Sequence, residues 1–263
     1  MSLRSALLSA ALVSVTAPAF AAAPANSFNL VGPGGKTIGN AAYTITKDKN
    51  GYHVTSKFQY RLGSTVGTEN TSGDTRMNTA VAFNEGQFTE DFKVSEEGSF
   101  LSGYTQNSTN QIMTSFQPNK TGSSVTVNQI QGGIGLGSHD LPIPKPIFLV
   151  VPDFDPASLQ LFLTTAMAHP HDDKTYLFIV PAGSNPKGRE QPEYVVLQLA
   201  PDTLSGTLDG KPVALHHYLL GYHSGKPSDL YVNDAGDLMQ ADITPLKVSY
   251  IRAKFALTSA AAK

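Results

Sequence analysis

Residues 52–62 read YHVTSKFQYRL, and this stretch decides the fold class. Its even-numbered positions are apolar apart from Ser56, and its odd-numbered positions are all polar. Alternation with a period of two predicts a half-buried antiparallel strand with one solvated face. The dipeptide Asn50-Gly51 just before it is a strong hairpin signal, so we expect this strand to pair with residues 42–46.

The same alternation recurs along the chain. Phe88, Phe92 and Val94 alternate with polar residues, and a turn is predicted at 233–236. Further strands are predicted near 100–105, 110–117, 123–131, 175–181, 193–200, 211–222, 229–243 and 246–257. The glycine- and proline-rich passage 132–146 is interpreted as a flexible crossover between two halves, at about 27–131 and 147–257.

A single convincing helix is predicted over 156–168. Asp155 suits the capping position, Pro156 suits the first helical position, and Pro170 ends the helix. Its apolar residues are predicted to share one face: Leu159, Phe162, Leu163, Ala166 and Met167. With about ten strands and one helix, the fold class is mainly β, an antiparallel barrel or half-barrel, with a sandwich as the alternative and the helix able to plug one barrel mouth.

The first residues have the pattern of a secretory signal peptide over 1–21. One arginine precedes an uncharged run, SALLSAALVSVTA, and Ala19-Phe20-Ala21 forms a cleavage pattern. The apolar run is too short for a transmembrane helix, and no later window is long enough. We therefore expect a single β-rich domain over 22–263, in the bacterial periplasm or secreted.

Composition excludes several classes of protein. The chain has no cysteine, so disulfide frameworks and thiolate metal sites are excluded. The formal charge is −2, from 19 basic and 21 acidic residues without a basic stripe, which disfavours nucleic acid and a basic membrane-surface patch. A neutral or apolar small molecule, or a protein surface, is the expected partner. The oligomeric state stays open, and no cofactor is predicted.

Histidines cluster at 214–223, which read ALHHYLLGYH. In a strand, His216 and His217 point to opposite faces, and His217 lies roughly 20 Å from His223, so they do not chelate one metal ion. The segment 169–173, HPHDD, is a better candidate for a metal site than residues 214–223.

In an extended segment, His169 and His171 share one side, and Asp172 or Asp173 follows them. A secreted, metal-assisted hydrolase is therefore an alternative hypothesis. The alternative without a metal is a polar loop after the helix.

No known catalytic motif is matched in its required spacing, order and structural context. Gly133, Gly135 and Gly137 lack the spacing of a dinucleotide-binding loop, and no G-x-S-x-G sequence occurs in a strand–turn–helix context. We assign no catalytic residue, and the sequence favours a non-catalytic protein over an enzyme.

Aromatic residues on consecutive strands are the remaining candidates for a site. In a small closed barrel they fill the interior, and in an open barrel they line a pocket for a lipid-like ligand. The candidate ligand-binding residues are Phe58, Tyr60, Phe88, Phe92, Tyr218 and Tyr222.

Three stretches resemble uncharacterised bacterial envelope proteins: LPIP at 141–144, the Asp155-Pro156 helix start, and DLYVNDAGDL at 229–238 continuing to YIR at 250–252. The resemblance implies an exported curved sheet like that of lipocalins or lipoprotein carriers, and it transfers no catalytic residue. The leading hypothesis is non-catalytic binding of an apolar ligand or envelope partner. A third hypothesis is a structural or interaction module that pairs through its edge strands.

Overall fold

The computed structural model describes residues 26–60, 86–95, 100–108, 111–121, 123–142, 147–151, 155–168, 175–180, 191–222 and 225–258. The first strands are β1 Ser27–Val31, β2 Thr37–Asp48, β3 Gly51–Tyr60, β4 Gly86–Val94, β5 Phe100–Asn107, β6 Ile112–Pro118, β7 Ser124–Gln131 and β8 Ile134–Pro142. There follow β9 Ile147–Val151, helix α1 Pro156–Ala168, β10 Thr175–Val180, β11 Gln191–Leu208, β12 Lys211–Tyr222, β13 Ser228–Asn233, β14 Leu238–Ile243, β15 Val248–Arg252 and β16 Phe255–Thr258. The protein is mainly β, as predicted, but its described part has sixteen strands rather than ten.

The sheet consists of two meanders that meet at one strand pair. From β1 the strands follow in chain order outward to β8, and from β15 they follow in reverse order outward to β9. The meanders are joined where β1 pairs with β15, for example Leu30 with Tyr250. The first strand, β1, and the last but one, β15, therefore lie together in the middle of the sheet.

Antiparallel pairing is confirmed for this sheet with one exception. β9 and β10 pair in parallel, because α1 lies between them in the chain and returns the chain to the same end of the sheet. The hydrogen-bonded path ends at β8 and β9 and is not closed. Both ends nevertheless approach the opposite meander, since β8 contacts β11 and β9 contacts β5.

Hairpin chemistry explains the pairing of β2 with β3. The predicted hairpin is confirmed: residues 42–46 pair with 53–57 around a two-residue loop, Lys49-Asn50. Gly51 is required at its place because a Cβ there would overlap the β4 backbone at Val94.

The crossover predicted at 132–146 is wrong for most of its length, because residues 134–142 form β8. Gly132 and Gly133 both have positive φ, 55° and 85°, and make the tight turn that pairs β8 with β7.

Helix α1 begins as predicted. The Ser158 amide donates to Asp155 Oδ1 at 2.7 Å, and Pro156 occupies the first helical position. The prediction of a single apolar face is wrong: Leu161 is as fully buried as Phe162, whereas Met167 is 36% exposed. The sheet contacts α1 through β2, β3, β9 and β14, which explains burial around most of its circumference. In the described part of the chain, no helix has both the length and the apolar character that a bilayer crossing requires.

The two faces of the sheet carry separate cores. The inner face, which packs against α1, holds the larger core, with Phe28, Val54, Phe92 and Leu220 almost fully buried. The outer face holds a smaller core around Leu215, Met239 and Phe255. β16 covers this second core, because it follows β15 in the chain but pairs with β11.

Candidate functional site

A polar side chain from α1 anchors the helix to the inner face. Gln160 Oε1 accepts from the Leu238 amide at 2.7 Å and from the Tyr43 hydroxyl at 3.2 Å. Its Nε2 group donates to the Gly236 carbonyl oxygen at 2.9 Å. Burial raises the pKa of the Tyr43 phenol, so the hydroxyl stays protonated and remains a donor. The middle of α1 is thereby fixed to β2 and to the turn before β14.

A second polar cluster lies at the beginning of α1, and we name it the N-terminal seat: Ser56, Glu90, Asp155 and Ser158. All four side chains are buried, with at most 2% exposed. Ser56 and Glu90 are direct cross-strand partners on β3 and β4, and the Ser56 hydroxyl donates to Glu90 Oε2 at 3.2 Å. The Ser56 hydroxyl also acts on the pKa of Asp155, so Ser56 links the carboxyl group of Glu90 to that of Asp155 at the point where the helix docks.

The N-terminal seat is short of hydrogen bonds. Asp155 Oδ1 caps the helix, but Asp155 Oδ2 and Ser158 Oγ are buried without a hydrogen-bond partner among the described residues. Burial raises the pKa of Asp155, and the amides and hydroxyls near it, from Ser56, Ala157 and Ser158, offset that effect only in part. A carboxyl group in such surroundings favours the protonated form.

The outer face carries a different arrangement, an imidazole held between two carboxylates. His217 Nδ1 lies 2.8 Å from Asp202 Oδ1, and its Nε2 lies 2.9 Å from Asp229 Oδ1. The ring stacks on Tyr231 with centroids 4.9 Å apart. We name these four residues the histidine clasp. Burial alone lowers the pKa of His217, but the hydrogen bonds that its ring donates to Asp202 and Asp229 outweigh that effect and raise the pKa above its ordinary value.

The histidine clasp holds an irregular part of β11. Leu199 pairs with Tyr218 and Thr203 with His216, so three residues of β11 oppose His217 alone. Beyond this bulge β11 pairs with β16 rather than with β10. His217 therefore lies opposite the bulge that separates the part of β11 paired with β10 from the part paired with β16.

The predicted opposition of His216 and His217 is confirmed. His216 Nε2 lies 3.1 Å from Asp234, in the turn after β13, whereas His217 contacts Asp202 and Asp229. Among the residues with described positions, no group of His, Asp and Glu side chains is arranged to hold a metal ion. The alternative metal ligands, His169, His171 and Asp172, lie outside the described residues, as does His223.

The predicted aromatic residues are divided between the two meanders. Phe92 is 1% exposed in the inner core, and Phe58 and Tyr60 on β3 pack against that core. Tyr218 and Tyr222 pack against the same core from β12, in the other meander. Phe88 pairs with Phe58 in the β3–β4 ladder, but its side chain lies outside the described part.

The chain matches no known protein-family model, no curated protein and no solved structure. The resemblance to bacterial envelope proteins therefore stays a prediction, and the geometry of the chain's own residues carries the functional argument.

Sequence reasoning identified Asp155 as a helix cap and considered His217, but it missed their partners in the two clusters, although for Ser56 and Glu90 a signal was present. Ser56 is the one polar residue in the apolar stripe of β3, and Glu90 interrupts the stripe from Phe88 to Val94 in β4. A polar residue at a core-facing position is informative because its burial is costly. Asp202 and Asp229 gave no such signal, because neither interrupts an apolar stripe that faces the core.

Proposed function

We propose that this chain is an exported, non-catalytic protein that binds an apolar, lipid-like ligand on the inner face of its sheet, in the place of α1. The observation that carries the proposal is the composition of this face. The aromatic side chains of Phe58, Tyr60, Tyr218 and Tyr222 are partly buried there, around the core that α1 fills. Aromatic and aliphatic walls with few polar groups are typical of lipid-binding cavities.

The character of α1 supports this proposal. Leu159, Leu161, Phe162 and Leu163 are all 0% exposed, so α1 has almost no face suited to water. A helix is about 10 Å wide, which is sufficient space for an extended acyl chain. An apolar helix that leaves its site needs an apolar environment, and a lipid or a lipid surface supplies one.

Two further features belong to the same proposal. The signal-peptide pattern at 1–21 supports export to the periplasm or secretion. The approach of β8 to β11 and of β9 to β5 supports a strongly curved, half-barrel sheet around α1. In such a sheet, removal of α1 leaves a groove rather than a flat surface.

Binding is tested with a fluorescent fatty acid titrated into purified, delipidated protein. We expect saturable binding that Phe58→Ala weakens about tenfold, the equivalent of about 1.4 kcal/mol. Tyr104→Ala is the matched control, because Tyr104 pairs with Asp91, which lies on the outer face of β4 and contacts His53 there. We expect it to leave the affinity unchanged. Lack of saturable binding, together with no lipid in mass spectra of the protein as isolated, would refute the proposal.

The position of α1 is tested with spin labels, because the absence of cysteine makes labelling selective. Met167→Cys on α1 and Lys57→Cys on β3 report the helix-to-sheet distance, and both positions are exposed. Lys57→Cys with Lys211→Cys, within the sheet, is the control pair. Ligand is expected to lengthen the first distance and leave the second unchanged. Saturable binding with both distances unchanged would place the ligand elsewhere.

A second candidate function is edge-strand pairing with an envelope partner or another copy. The free edge strand β8 exposes Ile134 to 72% and Leu136 to 51%, and an unprotected apolar edge is a template for another strand. Ile134→Lys is expected to abolish a concentration-dependent oligomer measured by light scattering. Val196→Lys, also at an exposed apolar residue but within the internal strand β11, is the control. A wild-type protein that stays monomeric over the whole concentration range would eliminate this candidate for self-association.

A further inference from the structure

Asp155 has few hydrogen-bond donors within the N-terminal seat. The Ser56 hydroxyl donates to Glu90, and the Ser158 amide donates to Asp155 Oδ1. Asp155 Oδ2 and Ser158 Oγ are both buried and make no hydrogen bond among the described residues, although the hydroxyls and amides of Ser56, Ala157 and Ser158 act on the carboxyl group and lower its pKa. One added proton on Asp155 lets Oδ2 donate, towards Ser158 Oγ or another neighbouring oxygen.

We propose that the N-terminal seat holds a proton while α1 is docked, and that loss of this proton releases the helix and opens the inner face. The inference rests on the proposed function, since it assigns to the apolar-ligand site a control by pH. The opposing effect is the helix dipole, which favours a carboxylate at a helix N-terminus. That effect is small for one terminus, whereas burial of an uncompensated charge is costly, so the proton is retained.

The neighbouring charges do not supply a substitute for the proton. No lysine or arginine is among the groups that influence the pKa of Asp155. Arg252 and Asp237 act on Tyr43, near the middle of α1, with opposite effects. β9 has no titratable residue. On the inner side of β2, β3, β4 and β14, the titratable residues are Tyr43, Lys47, Tyr52, Tyr60 and Glu90, and on the outer side they are Asp48, His53, Lys57, Asp91, Lys93 and Asp242. The exposed Lys47 lies over the Tyr52 ring and is not among the groups that act on Asp155.

The sign of the pH effect follows from the direction of the pKa shift. The pKa of Asp155 is raised in the docked state, so the docked state binds its proton more tightly than the released state. Docking is therefore favoured below the ordinary aspartate pKa of about 4 and is lost as the pH rises through the raised value. With one proton involved, the ratio of released to docked helix rises by up to tenfold per pH unit in that window.

The experiment measures the distance between spin labels at Met167→Cys and Lys57→Cys in ligand-free protein from pH 4 to pH 9. We expect a longer-distance population that grows with pH when Asp155 is present. Asp155→Asn is expected to remain docked at every pH, because asparagine also caps helices but does not ionise. Asp91→Asn, on the outer face beside Glu90, is the matched control and is expected to behave like the unaltered protein.

The fatty-acid titration, repeated at each pH, separates this inference from the proposed function. Tighter binding at higher pH that Asp155→Asn abolishes supports both. If fatty acid binds with the same affinity at all pH values and displaces α1 each time, the result supports the proposed function and overturns the control of α1 by a proton. A pH-dependent distance without any binding would support the proton control of α1 and overturn the assigned ligand.

Discussion

The histidine clasp is expected to make the stability of the protein depend on pH through one residue. A protonated imidazole donates through both nitrogens and so reaches Asp202 and Asp229 together, whereas a neutral ring donates through one. Because the folded state raises the pKa of His217, its contribution is full below about pH 6.5 and is lost as the pH rises through the raised value. The hydrogen bond from His217 lowers the pKa of Asp202, so that carboxylate loses its contribution only in acid.

The size of the effect follows from the contacts. The Asp229 side chain is 39% exposed, and a partly exposed ion pair of this kind contributes about 0.2–1 kcal/mol. The stack on Tyr231 adds about 0.5–1.5 kcal/mol. The Asp202 carboxylate is solvated with or without its partner, so it adds nothing to the sum. His217→Gln is therefore expected to reduce the free energy of unfolding by about 0.7–2.5 kcal/mol at pH 6, a fall in Tm of about 1–10 °C.

The assay is urea unfolding followed by circular dichroism between pH 5 and pH 9. The difference between the native protein and His217→Gln is expected to shrink as the pH rises, because the native protein loses the charged imidazole. His216→Gln is the control, since its partner Asp234 is 76% exposed, and we expect a change below about 0.5 kcal/mol. Equal effects of the two substitutions, or a difference that does not vary with pH, would refute the role assigned to the histidine clasp.

Two further predictions concern packing. Leu161→Ala leaves a cavity beneath α1 and is expected to lower the free energy of unfolding, measured by urea titration, by about 2–5 kcal/mol. Met167→Ala, at an exposed position, is expected to lower it by less than about 0.5 kcal/mol. Equal effects of the two substitutions would show that α1 is not enclosed by the sheet. Gly39→Ala introduces a Cβ that overlaps the β3 backbone and is expected to abolish soluble expression. A Cβ at Gly135 meets nothing within 4 Å, so Gly135→Ala is expected to express normally. Normal expression of both variants would contradict the β2–β3 packing.

Local features of the fold follow directly from the sequence. The alternation at 52–62 gives β3, the Asn50-Gly51 dipeptide gives the first hairpin, and Asp155-Pro156 gives the start of α1. Each depends on residues close together in the chain. β8 was missed because alternating glycines conceal a period of two and resemble a linker, and pairing with β7 then decides its conformation.

The sheet order and the burial of α1 depend on contacts between residues distant in sequence. Nothing near Leu30 indicates that β1 pairs with β15, and nothing in α1 indicates that Leu161 meets the sheet rather than solvent. The candidate site has the same limit. The apolar stripes of β3 and β4 indicated an inner face, but the approach of Asp155 to Ser56 depends on how the chain returns across that face.

Both polar clusters place ionisable groups at core-facing positions, but they compensate for burial differently. His217 has two carboxylates beside it, and both are partly exposed, so its charge is balanced and partly solvated. Asp155 is buried, its Oδ2 atom makes no hydrogen bond among the described residues, and no cation affects its pKa. The first arrangement is expected to stabilise the fold, whereas the second is expected to weaken the docking of α1 when Asp155 ionises. Residues that break a packing rule without compensation tend to mark functional sites, and these lie where, in the proposed function, the helix detaches for a ligand to reach the inner face.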